Sequence, residues 1–395
     1  MKQTLIAVVA VFAWLCLTPT TEAATLDEVK EIVDLYYYGG QPTNLRSAKN
    51  VTEVVRQLDE YSVYMTPAEY NDYLNQYASA TAPAQVAATT APHNPDNVTS
   101  HMMYGNVGYM KIKSFSAHLQ EDVNAHWSRL KAVGAERLIL DLRFNGGGYV
   151  DSAEQLLGFF PKVKEAYKLQ TRMGTQSGKV VPAKNQFPVD TYVLVNRYSA
   201  SASEIVAVSL KDQSAANIVG ETTKGKGSVQ SLFELENGGA LKLTTGHYTG
   251  PKGTPVQHKG VEPNIKMKSG TEHTGMHKRL VTSDLVAKGY KLTKGPTDVP
   301  QSKVFNVEFT QKMNFGPAKS FNKMELVKFG SVSIQTAKKA SDDKTMTIQP
   351  ARPMALGAEY MLVVHPGIAG ANGLNVVKGT YTPYTVQTRV PARAK

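Results

Sequence analysis

The chain has 395 residues, enough for two or three domains. Its hydrophobic content of 42% supports a sizeable buried core, and 31 glycines with 20 prolines suit a loop-rich fold with strands and exclude a plain helical bundle. The formal net charge of +11 is uneven: residues 224–395 hold 25 Lys+Arg against 11 Asp+Glu, which leaves 19 against 22 elsewhere. A basic C-terminal half fits contact with an anionic wall polymer or membrane surface, with a solvated, soluble surface as the plainer reading; no nucleic-acid-binding motif is visible.

Residues 1–23 read as a secretory signal peptide. Lys2 is basic, an apolar run extends from Leu5 to Leu17, and Thr21 and Ala23 supply the small residues of a cleavage site. The run is shorter than the ~20 residues that span a bilayer. The expected location is therefore secreted or in the cell envelope. The single cysteine, Cys16, lies inside this segment, so the mature chain is expected to lack disulfides, thiolate metal sites and a cysteine nucleophile.

Residues 24–77 form an N-terminal helical region in this reading: Leu26, Val29, Ile32, Val33 and Tyr36 recur at helix spacing, as do Val51, Val54, Val55 and Leu58. Thr66-Pro67-Ala68-Glu69 starts another helix. Residues 78–97, rich in Ala, Thr and Pro, read as a flexible linker. From 98 to 268 strands and helices alternate, which argues an α/β core. Strands are expected at Val107–Ile112, Arg137–Leu142, Tyr192–Val195, Ser231–Leu235 and Ala240–Thr245, and helices at Leu119–Val133, from Ser152, and at Ala202–Lys211. Residues 269–298 read as a helix and linker. Residues 299–388 hold short strands at β-sandwich intervals: Val304–Phe309, Ser331–Thr336, Thr345–Ile348 and Glu359–Val364.

Two strand ends and one loop carry chemical signals. Gly146-Gly147-Gly148 follows a strand, and glycines there let backbone N–H groups face a ligand; a plain tight turn explains them too. Ser199-Ala200-Ser201-Ala202-Ser203-Glu204 lies between a strand and a helix, where free N–H groups stabilise negative charge; an N-cap cluster with Glu204 as capping partner is the alternative. A serine nucleophile needs a base. The nine histidines are scattered and no G-x-S-x-G elbow is present. Lys226, in Gly225-Lys226-Gly227-Ser228-Val229-Gln230, is the local candidate. A lysine base must be neutral, which takes burial and a pKa lowered from ~10.4 toward ~7–8. Flanking glycines let the loop pack tightly, Gln230 is placed to orient the amine, and Lys224 is expected to stay solvated.

The run Asp141-Leu142-Arg143 with Gly146–Gly148, then Ser199–Glu204, then Gly225–Gln230, resembles the C-terminal processing (tail-specific) serine peptidases. The resemblance covers residues 26–268 and implies an α/β core of crotonase/ClpP-like shape. It implies Ser201 as nucleophile, Lys226 as general base, Gln230 completing the site, and the N–H groups of Gly147 and Ala202 as oxyanion hole. It implies protein or peptide substrates, no cofactor and no metal, and, through the N-terminal helices, a homodimer. Gly146 stands where many members have proline, and the PDZ domain many members carry has no room in 78–97. Further matching residues are Leu58–Pro67, Leu241–Thr245 and Gly260–Ile265.

Residues 299–388 resemble a bacterial Ig-like domain through Phe305–Phe309, Lys344–Pro350, Leu356–Tyr360 and the late loop Gly367–Gly373. The reading is a secreted endopeptidase working through an acyl-enzyme. Its rivals are a crotonase-like acyl-CoA enzyme and a catalytically silent envelope binding protein. His273 and His277 share helix spacing without a third metal ligand, so a solvated segment is expected there. Tyr36-Tyr37-Tyr38 is read as core or dimer packing.

Overall fold

The computed structural model describes residues 21–40, 42–78, 93–316 and 321–389. The expected export signal up to Thr20 and the 79–92 part of the expected linker lie outside the described residues. In chain order the first elements are α1 (Thr21–Tyr36), α2 (Val51–Val55), β1 (Val63–Met65) and α3 (Pro67–Ala78). There follow β2 (Val98–Met103), β3 (Val107–Ile112), α4 (Leu119–Ala132), β4 (Arg137–Asp141), α5 (Val150–Leu157), β5 (Lys168–Thr171) and β6 (Gly174–Ser177). Next come β7 (Thr191–Val195), α6 (Ala202–Asp212), β8 (Asn217–Gly220), β9 (Ser228–Glu234), β10 (Ala240–Thr249), β11 (Ile265–Lys266), α7 (Glu272–Ala287) and β12 (Lys291–Leu292). The last are β13 (Phe305–Glu308), β14 (Met324–Lys328), β15 (Ser333–Ile334), β16 (Thr336–Ala340), β17 (Thr345–Pro350), β18 (Glu359–Val364) and β19 (Thr380–Thr385).

Two compact units share the chain, and they interleave. Among the described residues, one comprises those up to 78 together with 169–175 and 228–247, and the other takes the rest. In the first unit α1 buries Val29 and Val33 with Val54 of α2 against Leu241 and Leu243 of β10. Polar residues set its helix starts. Asn50 accepts the N–H of Glu53 at 2.9 Å, and Glu69 accepts the N–H of Thr66 at 2.8 Å while Thr66 accepts that of Glu69 at 3.3 Å. Residues 63–65, expected to be helical, form a strand instead: Val63, Tyr64 and Met65 pair antiparallel with Lys242, Leu241 and Ala240. The β-branched and aromatic residues there follow the strand partner supplied from far along the chain. In the tyrosine run Tyr37 is buried and its hydroxyl accepts the N–H of Asp59 at 2.7 Å, while Tyr36 leans on Phe233 and Tyr38 on His247.

The second unit is built on a six-stranded sheet ordered β11-β8-β7-β4-β3-β2. β3, β4, β7, β8 and β11 run parallel and β2 antiparallel on the edge. Leu138, Ile139 and Leu140 of β4 and Val193, Leu194 and Val195 of β7 are all buried, as continuous apolar runs are when helices or loops cover both faces of a parallel sheet. Every residue of α6 but Lys211 is buried. The described end of the expected linker is anchored: Asn97 is buried, its carboxamide donates to the carbonyl of Ser114 and it accepts that residue's N–H at 3.0 Å.

The C-terminal part is a sandwich of a five-stranded sheet, β12-β19-β18-β14-β15, and a three-stranded sheet, β13-β17-β16. Phe305, Met324, Leu326, Met346, Ile348, Tyr360 and Leu362 fill the space between them. β12, from the segment read as linker, pairs with β19.

Helix α7 lies between the parallel sheet and this sandwich. Met276 and Leu280 pack with Met103, Ile139 and Leu194, whereas Val281 and Leu285 pack with Val327, Phe329, Met361 and Val363. The expectation of a solvated segment at His273 and His277 fails here. His277 is fully buried, its Nε2 donating to the carbonyl of Tyr104 at 2.9 Å and its Nδ1 accepting the N–H of Gly330 at 2.8 Å. Burial pulls its pKa down to about 4, with the nearby Arg137 charge adding to the effect. His273 packs its ring on Tyr109, 4.3 Å between centroids, and is likewise drawn down to about 4, first by burial and then by Arg143. A helix that offers an apolar stripe to each of two partners buries the polar residues between the stripes, a feature invisible in spacing alone. Among the described residues no group of three His, Cys, Asp or Glu side chains is placed to hold a metal, and no helix is long and apolar enough to cross a membrane.

Candidate active site

Adjacent parallel strands end side by side, and the three motif segments leave from their carboxyl ends. The glycine turn follows β4, the serine segment follows β7, and the lysine loop follows β8. Binding crevices of open α/β sheets form outside strand carboxyl ends.

The glycine turn is built against the serine. Gly147 has φ +106°, and a Cβ there would lie 2.8 Å from Cβ of Ser201 and 3.0 Å from the backbone nitrogen of Ala202. Only glycine permits this approach and this dihedral together. Asn145, fully buried, ties the turn down: its Nδ2 donates to the carbonyl of Ile112 at 3.0 Å, and its own carbonyl accepts the N–H of Ala200 at 3.0 Å and the hydroxyl of Ser203 at 2.9 Å. The N–H of Gly147, expected to face an oxyanion, instead donates to Oδ1 of Asn145 at 2.9 Å.

Ser201 precedes α6 with φ +55°. A non-glycine residue with φ above zero costs about 1–3 kcal/mol and clusters at functional sites. Ala202 is the first residue of the helix, so its N–H belongs to the donors that a helix N-terminus leaves without an intrahelical partner.

Glu204 holds the arrangement together. It is 0% exposed, and its carboxylate takes four donors. Oε2 accepts the N–H groups of Ser201 and Lys226, each at 2.9 Å. Oε1 accepts the hydroxyl of Thr223 and the N–H of Gly225, each at 2.6 Å. Tyr248 clasps the same two residues from their carbonyl side: its hydroxyl lies 3.0 Å from the carbonyl oxygen of Ser201 and 2.8 Å from that of Lys226. Complete burial, and then the Glu204 charge, push the Tyr248 phenol far up, so it remains a donor. Sequence reading recognised Glu204 only as a capping residue and missed Tyr248 altogether. An acidic residue following three small-residue positions signals a cap, and nothing local shows that the same carboxylate reaches 22 residues further along the chain.

Lys226 is half-buried and Lys224 exposed. The loop around Lys226 packs as tightly as its glycines suggest: a Cβ at Gly227 would lie 2.4 Å from the nitrogen of Gln257, and Gly227 donates to the Gln257 side chain at 2.7 Å. Gln230 belongs to the other compact unit, on β9, where its carboxamide donates to Ser228 at 2.9 Å and Thr244 at 3.2 Å. The structure thus brings Ser201, Ala202, Gly147 and the backbone of Lys226 together.

Behind the glycine turn Asp141, fully buried, accepts the Arg143 guanidinium through both oxygens, at 2.9 and 2.6 Å, and the Tyr109 hydroxyl at 2.6 Å. Burial pushes the Asp141 carboxyl up, but the Arg143 bonds outweigh it and hold it below its ordinary value. Arg143 also pairs with Glu272 at the start of α7, at 2.7 Å. Oε1 of Glu272 is buried without a partner among the described residues.

The serine segment, the lysine loop and the glycine turn thus all leave from one edge of the parallel sheet. Residues 106–267 match peptidase family S41 and residues 282–388 match a bacterial Ig-like domain. Among curated relatives, the carboxy-terminal processing protease CtpB of Bacillus subtilis (strain 168) is 36% identical over 166 residues, 41% of this chain and 34% of its own length. CtpA of the same organism is 31% identical over 215 residues, 50% of this chain and 46% of its own. The chain therefore spans less than half the length of these two relatives. Among solved structures, the photosystem II D1 C-terminal processing protease has a TM-score of 0.52 at 18% identity, covering 64% of this chain and 95% of that one, which is a likeness of fold.

Proposed function

We propose that the chain is an extracytoplasmic serine endopeptidase that cleaves protein substrates through Ser201 and Lys226. The observation that carries this reading is the shared carboxylate: Oε2 of Glu204 holds the N–H groups of both residues. A common anchor keeps the backbones of the two segments in fixed register, as a nucleophile and its base require. In the proposed reaction neutral Lys226 takes the proton of the Ser201 hydroxyl as Oγ attacks a peptide carbonyl. The N–H of Ala202 stabilises the oxyanion, and that of Gly147 joins it by leaving Asn145. Lys226 then protonates the leaving amine, and water hydrolyses the acyl-enzyme. The basic start and apolar run from Leu5 to Leu17 support a place outside the cytoplasm.

The test is casein hydrolysis by the wild type and three variants. Ser201→Ala and Lys226→Ala are expected to lose activity by at least about 10³-fold, whereas Lys224→Ala is expected to keep it. Activity that survives Lys226→Ala overturns the pairing, and acyl-CoA turnover without proteolysis overturns the class.

A further inference from the structure

We propose that Phe144 and Tyr198 form a shelf that receives an apolar side chain of the polypeptide substrate beside the scissile bond. This rests on the peptidase reading and names the substrate class it acts upon: chains with a large apolar, non-basic residue within three positions of the cut.

The two rings stand out from the rest of the site. Phe144 is 63% exposed and Tyr198 59%, yet they stack on each other with centroids 5.5 Å apart and planes 19° from parallel. They occupy equivalent places: Phe144 precedes Gly147 by three residues and Tyr198 precedes Ser201 by three. Three extended residues span at most about 11 Å, so the shelf falls within reach of a substrate side chain up to three positions from the attacked carbonyl.

Both rings are held, not merely exposed. Phe144 has φ +64°, a conformation that a bulky side chain avoids. Oδ1 of Asn196, a buried side chain, accepts the N–H of Phe144 and the N–H of Tyr198, each at 3.1 Å. The N–H of Asn196 is fixed in turn by the hydroxyl of Ser199 at 3.0 Å. A single amide thus sets both aromatic positions and ties the glycine turn to the serine segment. An aromatic residue kept in a strained backbone state and presented to solvent points to a task outside the core.

Charge narrows the occupant. The Lys111 ammonium lies 5.9 Å from the Phe144 centroid and contributes a cation to the shelf. A lysine or arginine side chain arriving there meets a like charge and a ring face already engaged. An aromatic or large aliphatic side chain adds stacking or packing with no such opposition.

The experiment uses the full chain and a set of unstructured peptides that vary the residues within three positions on either side of one cleavage site, with products identified by mass spectrometry. Wild type is expected to favour Phe or Leu over Ser at one of these positions by about tenfold and to reject Lys and Arg there. Phe144→Asn, chosen because asparagine tolerates a positive φ, and Tyr198→Ser should erase the preference and raise KM for the apolar peptide more than they lower kcat. Phe144→Tyr should restore it, and Lys111→Met should relax the exclusion of basic residues. Near-UV circular dichroism checks that the variants fold. Unchanged KM and preference in both variants overturn the shelf and leave the peptidase standing. A fall in kcat at constant KM also overturns it, because the rings then act on the turns and not on substrate. A wild type no more active than Ser201→Ala on every peptide removes the peptidase reading, and the shelf with it.

Discussion

Oε2 of Glu204 accepts the backbone N–H of Lys226 at 2.9 Å, although 22 residues separate them. Glu204→Gln keeps the shape but turns one of two acceptor atoms into a donor that faces other donors. Each broken contact costs about 1–3 kcal/mol, so a loss of about 3 kcal/mol in stability is expected, read from denaturant unfolding. Casein hydrolysis should fall about 10²-fold, as misplacement of a catalytic group produces. Unaltered stability with unaltered hydrolysis would remove Glu204 from its anchoring role.

Gly147→Ala tests how closely the turn abuts the serine. The new Cβ would stand 2.8 Å from Cβ of Ser201 at a φ of +106°. The expected outcome is a destabilisation of about 1–3 kcal/mol together with loss of hydrolysis. Gly146→Ala, where no atom lies within 4 Å of the added carbon, should retain most of it.

Arg143→Leu strips Asp141 and Glu272 of their shared cation. Breaking a buried pair costs about 3–5 kcal/mol, and thermal unfolding should register it. Asp141 has a lowered folded pKa, so its contribution is present above its unfolded value and lost as pH falls through the folded one. The deficit of the variant should therefore shrink in acid. A deficit that stays constant down to pH 3 contradicts the pairing.

His277 supplies a second acid response. Its folded pKa of about 4 lies below the unfolded value, so the unfolded chain binds the extra proton between the two. Stability is unaffected above the unfolded value and declines as pH drops below it, by roughly 2 kcal/mol at pH 5. Comparing denaturation midpoints at pH 7.5 and 5 should show this decline. His277→Gln, which offers both a donor and an acceptor at the seam, should flatten part of it; an identical slope in the variant would remove His277 as a source.

Much of this architecture was readable from residue patterns. The apolar runs of β4 and β7 and the amphipathic face of α4 announced an α/β core, and the glycine and serine segments were read at strand ends, where the structure has them after β4 and β7. What escaped were long-range relationships. β1 depends on a partner about 180 residues away, and Tyr248 becomes part of the site only because β10 carries it back to the carbonyls of Ser201 and Lys226. The hydrogen bond from the N–H of Gly147 to the Asn145 side chain was also invisible in the sequence, because spacing does not say which acceptor a turn N–H meets.

The helix Glu272–Ala287 gives one face to the parallel sheet and the other to the sandwich. The Ig-like module is therefore no detachable cassette. Cutting the chain after α7 would expose Val281 and Leu285 to water, and cutting before it would strip Met276 and Leu280 from Ile139 and Leu194. Whatever tugs on the C-terminal sandwich pulls on the helix whose first residue grips Arg143, three positions from the serine's neighbouring turn. Swapping this module between proteins would require moving the helix with it.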